Sequence, residues 1–288
     1  MTRLVPALFL IVLTAELVQA DQPSIEMIAD VAYGPDEQQR LDIYFQSGVT
    51  EKRPVVLWVH GGGWSGLDKR QGSNGISTLA DALVAKGFIA VSCNYRLAPK
   101  HRHPTQLQDV QRVVRWLRAN AERYHIDPER IGAAGVSAGG HLAAMLAVRQ
   151  TASPQGDDLD RFSSRVQAAV SLSGPTDLRD DQAELSSPVL TEAIKQLIGE
   201  GPESAARRQD ASPIRFADAD SSPLLFIVGA DDQWVPPAHA RLMAQALKAK
   251  NIDSDVVTIE GKGHELLPNN SPRAQDALTG WFEKKLKR

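Results

Sequence analysis

The chain has 288 residues, of which 42% are hydrophobic and 23% are charged, and 32 basic against 35 acidic side chains give a formal net charge of −3. This length and apolar content suffice for a sizeable core in one enzyme-sized domain. The near-neutral balance, without a basic tract, argues against nucleic-acid binding, and the single cysteine, Cys93, excludes an internal disulfide.

Residues 1–20 have the pattern of a secretory signal peptide. Arg3 precedes the apolar stretch 4–13, and Val18-Gln19-Ala20 places small residues at the expected cleavage positions. The apolar stretch is about half the roughly 20 residues that a membrane-spanning helix needs. We therefore expect a secreted or periplasmic protein, without stable membrane insertion, whose mature domain is residues 21–288. An uncleaved anchor is the alternative.

Strand and helix patterns alternate along the rest of the chain. The segment Ile25–Phe45, with its Gly34-Pro35-Asp36 turn, predicts an antiparallel hairpin at a sheet edge. The remaining strands are predicted at Pro54–Val59, Phe88–Cys93, Arg130–Ala134, Val166–Leu172, Leu224–Val228 and Ser254–Ile259. The predicted helices are Ile76–Lys86, Thr105–Tyr124, a stretch ending at Val148, Val189–Ile198, Ala238–Lys248 and Pro272–Leu286.

This alternation predicts an α/β fold with a mostly parallel central sheet, an antiparallel N-terminal edge and helices on both faces. One less regular segment, residues about 175–210, interrupts the pattern. It is interpreted either as a small lid over the strand ends or as a simple surface excursion.

A glycine-flanked serine lies between a strand pattern and an alanine-rich helix pattern. Gly135-x-Ser137-x-Gly139 has the spacing of a nucleophile elbow, in which a strained turn presents the serine and the glycines let strand and helix approach closely. The same spacing also occurs in ordinary loops. The strand before it and the helix after it favour Ser137 as a catalytic nucleophile.

The glycine-rich stretch His60-Gly61-Gly62-Gly63-Trp64 directly follows the predicted strand Pro54–Val59. Acyl transfer needs two or three fixed N–H donors at the oxygen that becomes negative, and glycine N–H groups at a sheet edge suit that task. Ala138, the residue after the serine, is the natural further donor. Phosphate binding is the alternative, but the stretch has neither the lysine of a P-loop nor the spacing of a dinucleotide-binding turn.

A serine hydroxyl needs a base, and His264 is the candidate among the seven histidines. It follows the predicted strand Ser254–Ile259 in a glycine-rich loop, late in the chain, as the hydrolase order Ser, Asp, His requires. The other histidines receive structural interpretations: His60 orders the glycine turn, His141 lies on the helix after the serine, His101 and His103 lie in a loop, and His125 and His239 are surface or capping residues.

The acid partner of the histidine comes from the adjacent pair Asp231-Asp232, which follows the predicted strand Leu224–Val228. A buried carboxylate here would hold the imidazole tautomer and stabilise the imidazolium. Spacing does not choose between the two aspartates, and one of them could instead stabilise the loop through an Asx turn.

Together these motifs resemble those of the α/β-hydrolase superfamily. The nearest resemblance is to secreted carboxylesterases of the hormone-sensitive-lipase-like and bifunctional acetylxylan/feruloyl esterase-type (BD-FAE-like) groups, over roughly residues 30–285. The matching stretches are 60–64, 94–99, 103–109, 127–131, 135–141, 212–213 and 263–264. The resemblance implies the α/β-hydrolase fold, Asp232 as the triad acid in a D-x-x-V-P pattern, a structural role for Asp109, and Gly62, Gly63 and Ala138 as oxyanion donors.

The expected activity is that of a serine carboxylesterase that hydrolyses short-chain acyl esters through an acyl-enzyme, without a metal or other cofactor. Its expected substrate is a small-molecule or polysaccharide-linked ester, for example an acetyl or feruloyl ester of a plant polysaccharide. Trp64 and Trp234 adjoin the candidate catalytic groups and are interpreted either as walls of a shallow acyl pocket or as core residues. The alternatives are an arylformamidase-like or lipase-like hydrolase and, on the same fold, a non-catalytic binding module. The sequence gives no expectation of the oligomeric state.

Overall fold

A computed structural model describes residues 24–70, 76–152, 156–179, 183–264, 266 and 268–287. The predicted signal peptide, residues 1–20, lies outside these described residues. Within them, eight strands form one sheet. The strands are β1 Ile25–Ala32, β2 Arg40–Gln46, β3 Arg53–Val59, β4 Ile89–Cys93, β5 Ile126–Val136, β6 Ala168–Leu172, β7 Leu224–Gly229 and β8 Ser254–Ile259.

The strands lie side by side in the order β1-β2-β4-β3-β5-β6-β7-β8. β2 pairs antiparallel with both β1 and β4, and every other neighbouring pair is parallel. The central strands β3, β4, β6 and β7 are almost entirely buried, which explains their continuous apolar runs. The sheet is therefore mostly parallel with an antiparallel N-terminal edge, as predicted.

Helices cover both faces of this sheet. They are α1 Ile76–Ala85, α2 Thr105–Ala119, α3 Ala138–Val148, α4 Pro188–Ile198, α5 Ser204–Asp210, α6 Ala238–Lys248 and α7 Pro272–Leu286. α2, α3 and α6 contribute to one hydrophobic core, and α1 and α7 contribute to the other. Every residue of α3 is buried, so this alanine-rich helix lies at the centre of the fold. This architecture confirms the predicted α/β-hydrolase fold.

The two largest differences in boundary from the sequence prediction arise where α2 leads into β5. α2 ends at Ala119 instead of Tyr124, and β5 begins at Ile126 instead of Arg130. Ile126 pairs with Arg53 of β3, and the Arg53 N–H donates to the His125 carbonyl at 2.8 Å. Pairing with β3 therefore keeps the chain extended from Ile126 onward. The helix must stop earlier than its own pattern indicates.

β3 and β5 place the candidate site. Val59, the last residue of β3, pairs with Gly135 near the end of β5, so the two strands finish at the same edge of the sheet. The glycine-rich turn and the serine elbow follow directly at this edge. Among the described residues, the structure contains no helix that is long and apolar enough to cross a membrane.

Candidate active site

Ser137 lies in a sharp turn between β5 and α3, with the strained backbone angles φ 55° and ψ −120°. Glycine is required on both sides of it. A Cβ on Gly139 would lie 2.0 Å from the Val59 carbonyl oxygen, and a Cβ on Gly135 would lie 2.6 Å from the same atom. The glycines therefore let α3 pack directly against the end of β3, and this packing holds the serine in its strained turn.

His264, in the loop after β8, contacts the serine. Its Nε2 lies 2.9 Å from the Ser137 Oγ, and its Nδ1 lies 2.9 Å from the Asp232 Oδ2 and 3.1 Å from the Oδ1. Because an ionised carboxylate only accepts hydrogen bonds, the Nδ1 carries the proton and the Nε2 is free to accept the serine proton. Loops that follow three separate strands thus bring Ser137, His264 and Asp232 into one hydrogen-bonded chain, in which the serine can pass its proton to His264.

Asp232 is only 5% exposed, whereas its neighbour Asp231 is exposed. Besides contacting His264, the Asp232 Oδ1 accepts the N–H groups of Trp234 at 3.0 Å and Val235 at 2.9 Å. Burial raises the pKa of Asp232, but hydrogen bonds from His264 and Val235 and attraction to His264 outweigh that effect, so the pKa lies below its usual value. One aspartate therefore makes both the Asx turn and the contact with the histidine, roles that the sequence analysis divided between two.

The glycine-rich turn presents its N–H groups beside the serine. Gly62 and Gly63 have φ angles of +91° and +58°, and a Cβ on Gly62 would lie 2.3 Å from the Gly66 carbonyl oxygen. Within the described ranges, the N–H groups of Gly62, Gly63 and Ala138 donate to no other residue. Ala138 is also the first residue of α3, whose N-terminus favours negative charge. These groups are suited to an oxyanion.

A cavity of about 630 Å³ opens in front of these groups. Ser137, His264 and the glycine turn form its floor. Its walls include Leu67, Pro175, Val189, Leu190, Ala193 and Trp234. Leu67, Val189 and Trp234 are large apolar residues with nearly half of their surface exposed, and all three lie around this cavity. Its size suits a small organic ligand, and its rim suits an apolar one.

The two tryptophans named from the sequence differ in environment. Trp234 is 46% exposed, and its ring centroid lies 5.0 Å from that of His264, so it borders the cavity beside the candidate base. Trp64 also adjoins the cavity, but only 1% of it is exposed, and its Nε1 donates to the His141 Nδ1 at 3.2 Å. The Trp64 side chain thus packs in the core, which was the structural alternative.

Helix α4, which lies within the less regular part of the chain after Pro175, forms one wall of the cavity. Val189, Leu190 and Ala193 face it, a set of wall residues that the sequence analysis did not identify. Ser187 joins this helix to the loop of the candidate acid: its Oγ accepts the Leu190 N–H as a helix cap and donates to the Trp234 carbonyl at 2.5 Å. The sequence contained a signal for the cap, a Ser-Pro pair, but none for the contact.

The prediction for His239 is wrong. It was expected at the surface or as a cap, yet it is 1% exposed. Its Nδ1 accepts the N–H groups of Thr176 and Asp177 at 3.2 and 3.4 Å, and its Nε2 donates to the Leu185 carbonyl at 2.9 Å. Burial lowers its pKa to about 4, so it is neutral at physiological pH. As the second residue of α6, it braces the start of segment 175–210 from inside the fold.

Asp109 has the structural role that the resemblance implied. It is 1% exposed and accepts hydrogen bonds from the Gln39 amide and from the Arg96 guanidinium and backbone N–H. These hydrogen bonds join α2 to the loop after β4 and to the segment before β2. In the part of the chain that the structure describes, no three His, Cys, Asp or Glu side chains are grouped so that they could hold a metal ion.

The chain is similar to a known family and to known proteins. The model of the BD-FAE family matches residues 41–247. Esterase LipC from Mycobacterium tuberculosis (strain ATCC 25618 / H37Rv) is 32% identical over 248 residues, which are 81% of this chain and 58% of LipC. The chain thus spans less than two thirds of the length of this relative.

Solved structures are also similar to this chain. A truncated form of a carbohydrate esterase from gut microbiota is 25% identical with a TM-score of 0.79, over 93% of this chain and 98% of that chain. A bifunctional GH43-CE protein from Bacteroides eggerthii is 26% identical with a TM-score of 0.78, over 90% of this chain and 38% of that chain. Since the family model covers more than half of the sequence, this chain belongs to the BD-FAE family of α/β-hydrolase proteins.

Proposed function

We propose that this protein is a serine carboxylesterase. The observation that carries the proposal is the hydrogen-bonded chain from Asp232 through His264 to Ser137. Ser137 and His264 line a cavity beside the N–H groups of the glycine turn, which donate to no other residue in the described part of the chain. A nucleophile, a base with an orienting acid, and oxyanion donors are the groups that acyl transfer needs. The names of the similar proteins, esterase and carbohydrate esterase, support the same reaction class.

In the proposed acylation step, the Ser137 Oγ attacks the ester carbonyl carbon while its proton passes to the His264 Nε2. The Asp232 carboxylate stabilises the resulting imidazolium, and its lowered pKa keeps it ionised for that purpose. The carbonyl oxygen becomes negative and accepts hydrogen bonds from the N–H groups of Gly62, Gly63 and Ala138. The tetrahedral intermediate then collapses, the bond to the alcohol oxygen breaks, and that oxygen takes the proton from His264.

Deacylation repeats these events with water. His264, neutral again, takes a proton from a water molecule whose oxygen attacks the acyl-enzyme carbonyl. The same N–H groups stabilise the second oxyanion. Collapse releases the carboxylic acid and returns the proton to the Ser137 Oγ. No cofactor takes part in the proposed cycle.

The proposed substrate class is short-chain acyl esters, including acetyl or feruloyl groups on plant polysaccharides. The carbohydrate esterase among the structural neighbours supports a sugar-linked substrate. The cavity supports a short acyl group, because α4 bounds it with the side chains of Val189, Leu190 and Ala193. Its open, apolar rim at Leu67, Val189 and Trp234 leaves the remainder of a larger substrate outside.

The function is tested with purified protein, the Ser137→Ala variant and a panel of esters. The panel contains p-nitrophenyl acetate, acetylated xylan, a feruloylated sugar, a long-chain lipid ester and an aryl formamide. We expect hydrolysis of short esters and a loss of up to about 10⁶-fold in Ser137→Ala, with the fold intact by circular dichroism. An organophosphonate should label Ser137. More than a few per cent of wild-type turnover in the variant, or labelling at another residue, would refute the mechanism.

A further inference from the structure

An oxyanion hole depends on the direction of its N–H groups, and in a trans peptide the N–H points away from the carbonyl of the same peptide unit. The N–H of Gly62 shares its peptide with the carbonyl of Gly61. Likewise, the N–H of Gly63 shares its peptide with the Gly62 carbonyl, and that of Ala138 with the Ser137 carbonyl. The hydrogen-bond donors that bind these three carbonyls, on the side away from the cavity, therefore direct the N–H groups toward the substrate.

Backbone groups hold two of the carbonyls. The Gly62 carbonyl accepts the N–H groups of Ser65 and Gly66, each at 3.0 Å, and the Ser137 carbonyl accepts the His141 N–H at 2.9 Å. These bonds belong to a tight turn and to the first turn of α3. No side-chain substitution removes them directly.

The Gly61 carbonyl is held by side chains. The Tyr95 hydroxyl lies 3.1 Å from this oxygen and 3.1 Å from the His60 carbonyl, and the His60 Nδ1 lies 2.9 Å from the Gly61 oxygen. The His60 and Tyr95 rings stack with their centroids 4.3 Å apart and an angle of 8° between their planes. A carbonyl only accepts, so the Tyr95 hydroxyl donates its single hydrogen, which is shared between the His60 and Gly61 carbonyls, and the His60 Nδ1 carries the proton that it donates to the Gly61 carbonyl.

Both donors keep their protonation state across the neutral pH range. Burial raises the pKa of the Tyr95 hydroxyl, so the hydroxyl remains protonated. Burial lowers the pKa of His60 to about 4, so its imidazole is neutral. Tyr95 is 0% exposed and His60 is 1% exposed, and both lie beneath the glycine turn, outside the cavity lining. Neither residue is in a position to touch a substrate.

We propose that Tyr95, together with the stacked His60, is a positioning residue that aims the Gly62 N–H into the oxyanion hole by binding the Gly61 carbonyl. This inference rests on the proposed function and extends it to residues outside the cavity. If Tyr95 served packing alone, its hydroxyl would be dispensable for turnover.

The test compares Tyr95→Phe with Tyr33→Phe. Tyr33 is a matched control because it is 2% exposed and its hydroxyl also donates to a backbone carbonyl, that of Asn94 at 2.7 Å. Losing one oxyanion donor lowers kcat by roughly 10²–10³-fold, and a donor that is present but misdirected should cost less. We expect kcat for p-nitrophenyl acetate to fall about tenfold or more in Tyr95→Phe, with KM within about twofold, and to stay within about twofold in Tyr33→Phe.

A transition-state analogue separates positioning from general destabilisation. A trifluoromethyl ketone forms a tetrahedral adduct with the serine, so its affinity should fall in Tyr95→Phe by about the same factor as kcat/KM. His60→Phe, which keeps the ring stack but removes the second donor to Gly61, should lower kcat in the same way. If Tyr95→Phe does not fold, the kcat of His60→Phe tests whether side-chain binding of the Gly61 carbonyl is needed for turnover.

An unchanged kcat in Tyr95→Phe, or an equal loss of kcat in Tyr33→Phe, would overturn the inference, as would an unchanged kcat in a folded His60→Phe. Failure of the inference is distinguishable from failure of the proposed function. The first leaves an active wild type that needs Ser137 but not the Tyr95 hydroxyl. In the second, the wild type itself hydrolyses no ester.

Discussion

Replacing Asp232 with asparagine should abolish most of the activity without unfolding the protein. The Asp232 Oδ1 accepts the Trp234 and Val235 N–H groups at 3.0 and 2.9 Å, and an asparagine carbonyl oxygen can keep both bonds. The asparagine NH₂ then faces the His264 Nδ1, which must accept instead of donate. The proton moves to Nε2, toward the Ser137 Oγ, so the imidazole can no longer take the serine proton.

The size of the effect follows from this tautomer change. In serine hydrolases with the same triad geometry, a wrong tautomer lowers kcat by about 10⁴-fold, which corresponds to about 5.4 kcal/mol of transition-state stabilisation. Asp231→Asn is the matched control, because Asp231 is exposed and should keep kcat within about threefold. The free energy of unfolding should change by less than about 1 kcal/mol in Asp232→Asn. It should fall by about 2 kcal/mol or more in Asp232→Ala, which leaves buried N–H groups unpaired.

The assay is kcat and kcat/KM for p-nitrophenyl acetate near neutral pH, with urea unfolding of each variant. If Asp232→Asn retained more than about a tenth of the wild-type kcat, the tautomer argument would fail. A loss in Asp231→Asn as large as that in Asp232→Asn would assign the acid to the other aspartate. Equal destabilisation by asparagine and alanine at position 232 would refute the account of the Asx turn.

Two further predictions follow from the tryptophan at the cavity and from the buried histidines. Trp234→Ala should shift the acyl-chain preference of kcat/KM toward longer p-nitrophenyl esters, with up to about 0.8 kcal/mol of transition-state stabilisation for each additional methylene that the cavity accommodates. Reduced stability with an unchanged chain-length preference would instead assign Trp234 to the core. Burial lowers the pKa values of His60, His141 and His239 to about 4, 3 and 4. Below about pH 6.5 the unfolded chain binds protons that the folded chain excludes, so the stability present above that pH is lost as the pH falls toward these values. The free energy of unfolding in urea should therefore decline between about pH 7 and about pH 5, by up to about 1.4 kcal/mol per pH unit for each of these histidines. In His239→Gln the decline should be less steep. An equally steep decline in this variant would contradict the assignment of His239 as a buried neutral histidine.

Local pattern was sufficient for most of the secondary structure. The bounds of α6, α7 and β8 agree with the sequence prediction, because these elements have clear apolar periodicity. α5, Ser204–Asp210, was not predicted, since its sequence SAARRQD has no apolar stripe. It is held instead by long-range contacts: Asp210 accepts a hydrogen bond from the His103 Nε2 at 2.8 Å and pairs with Arg149 at 2.7 Å.

The sequence by itself determined the serine elbow and the glycine turn, because both depend on short-range geometry. Gly135-x-Ser137-x-Gly139 specifies a strained turn through residues within two positions of the serine. The predicted strands also determined that His264 and the Asp231-Asp232 pair follow strand ends of one parallel sheet. These side chains therefore had to meet at the same edge.

Only the tertiary structure decided which side chains at that edge are buried and what they contact. Asp232 and Asp231 are adjacent and chemically identical. Only Asp232 is buried, and its Oδ1 accepts the N–H groups of Trp234 and Val235. Trp64 lies in the core, where His141, 77 residues later in the chain, accepts its Nε1 hydrogen. Tyr95 reaches the Gly61 carbonyl across 34 residues. Such contacts depend on how β3, β4 and α3 pack together, and the local sequence pattern of each element does not predict that packing.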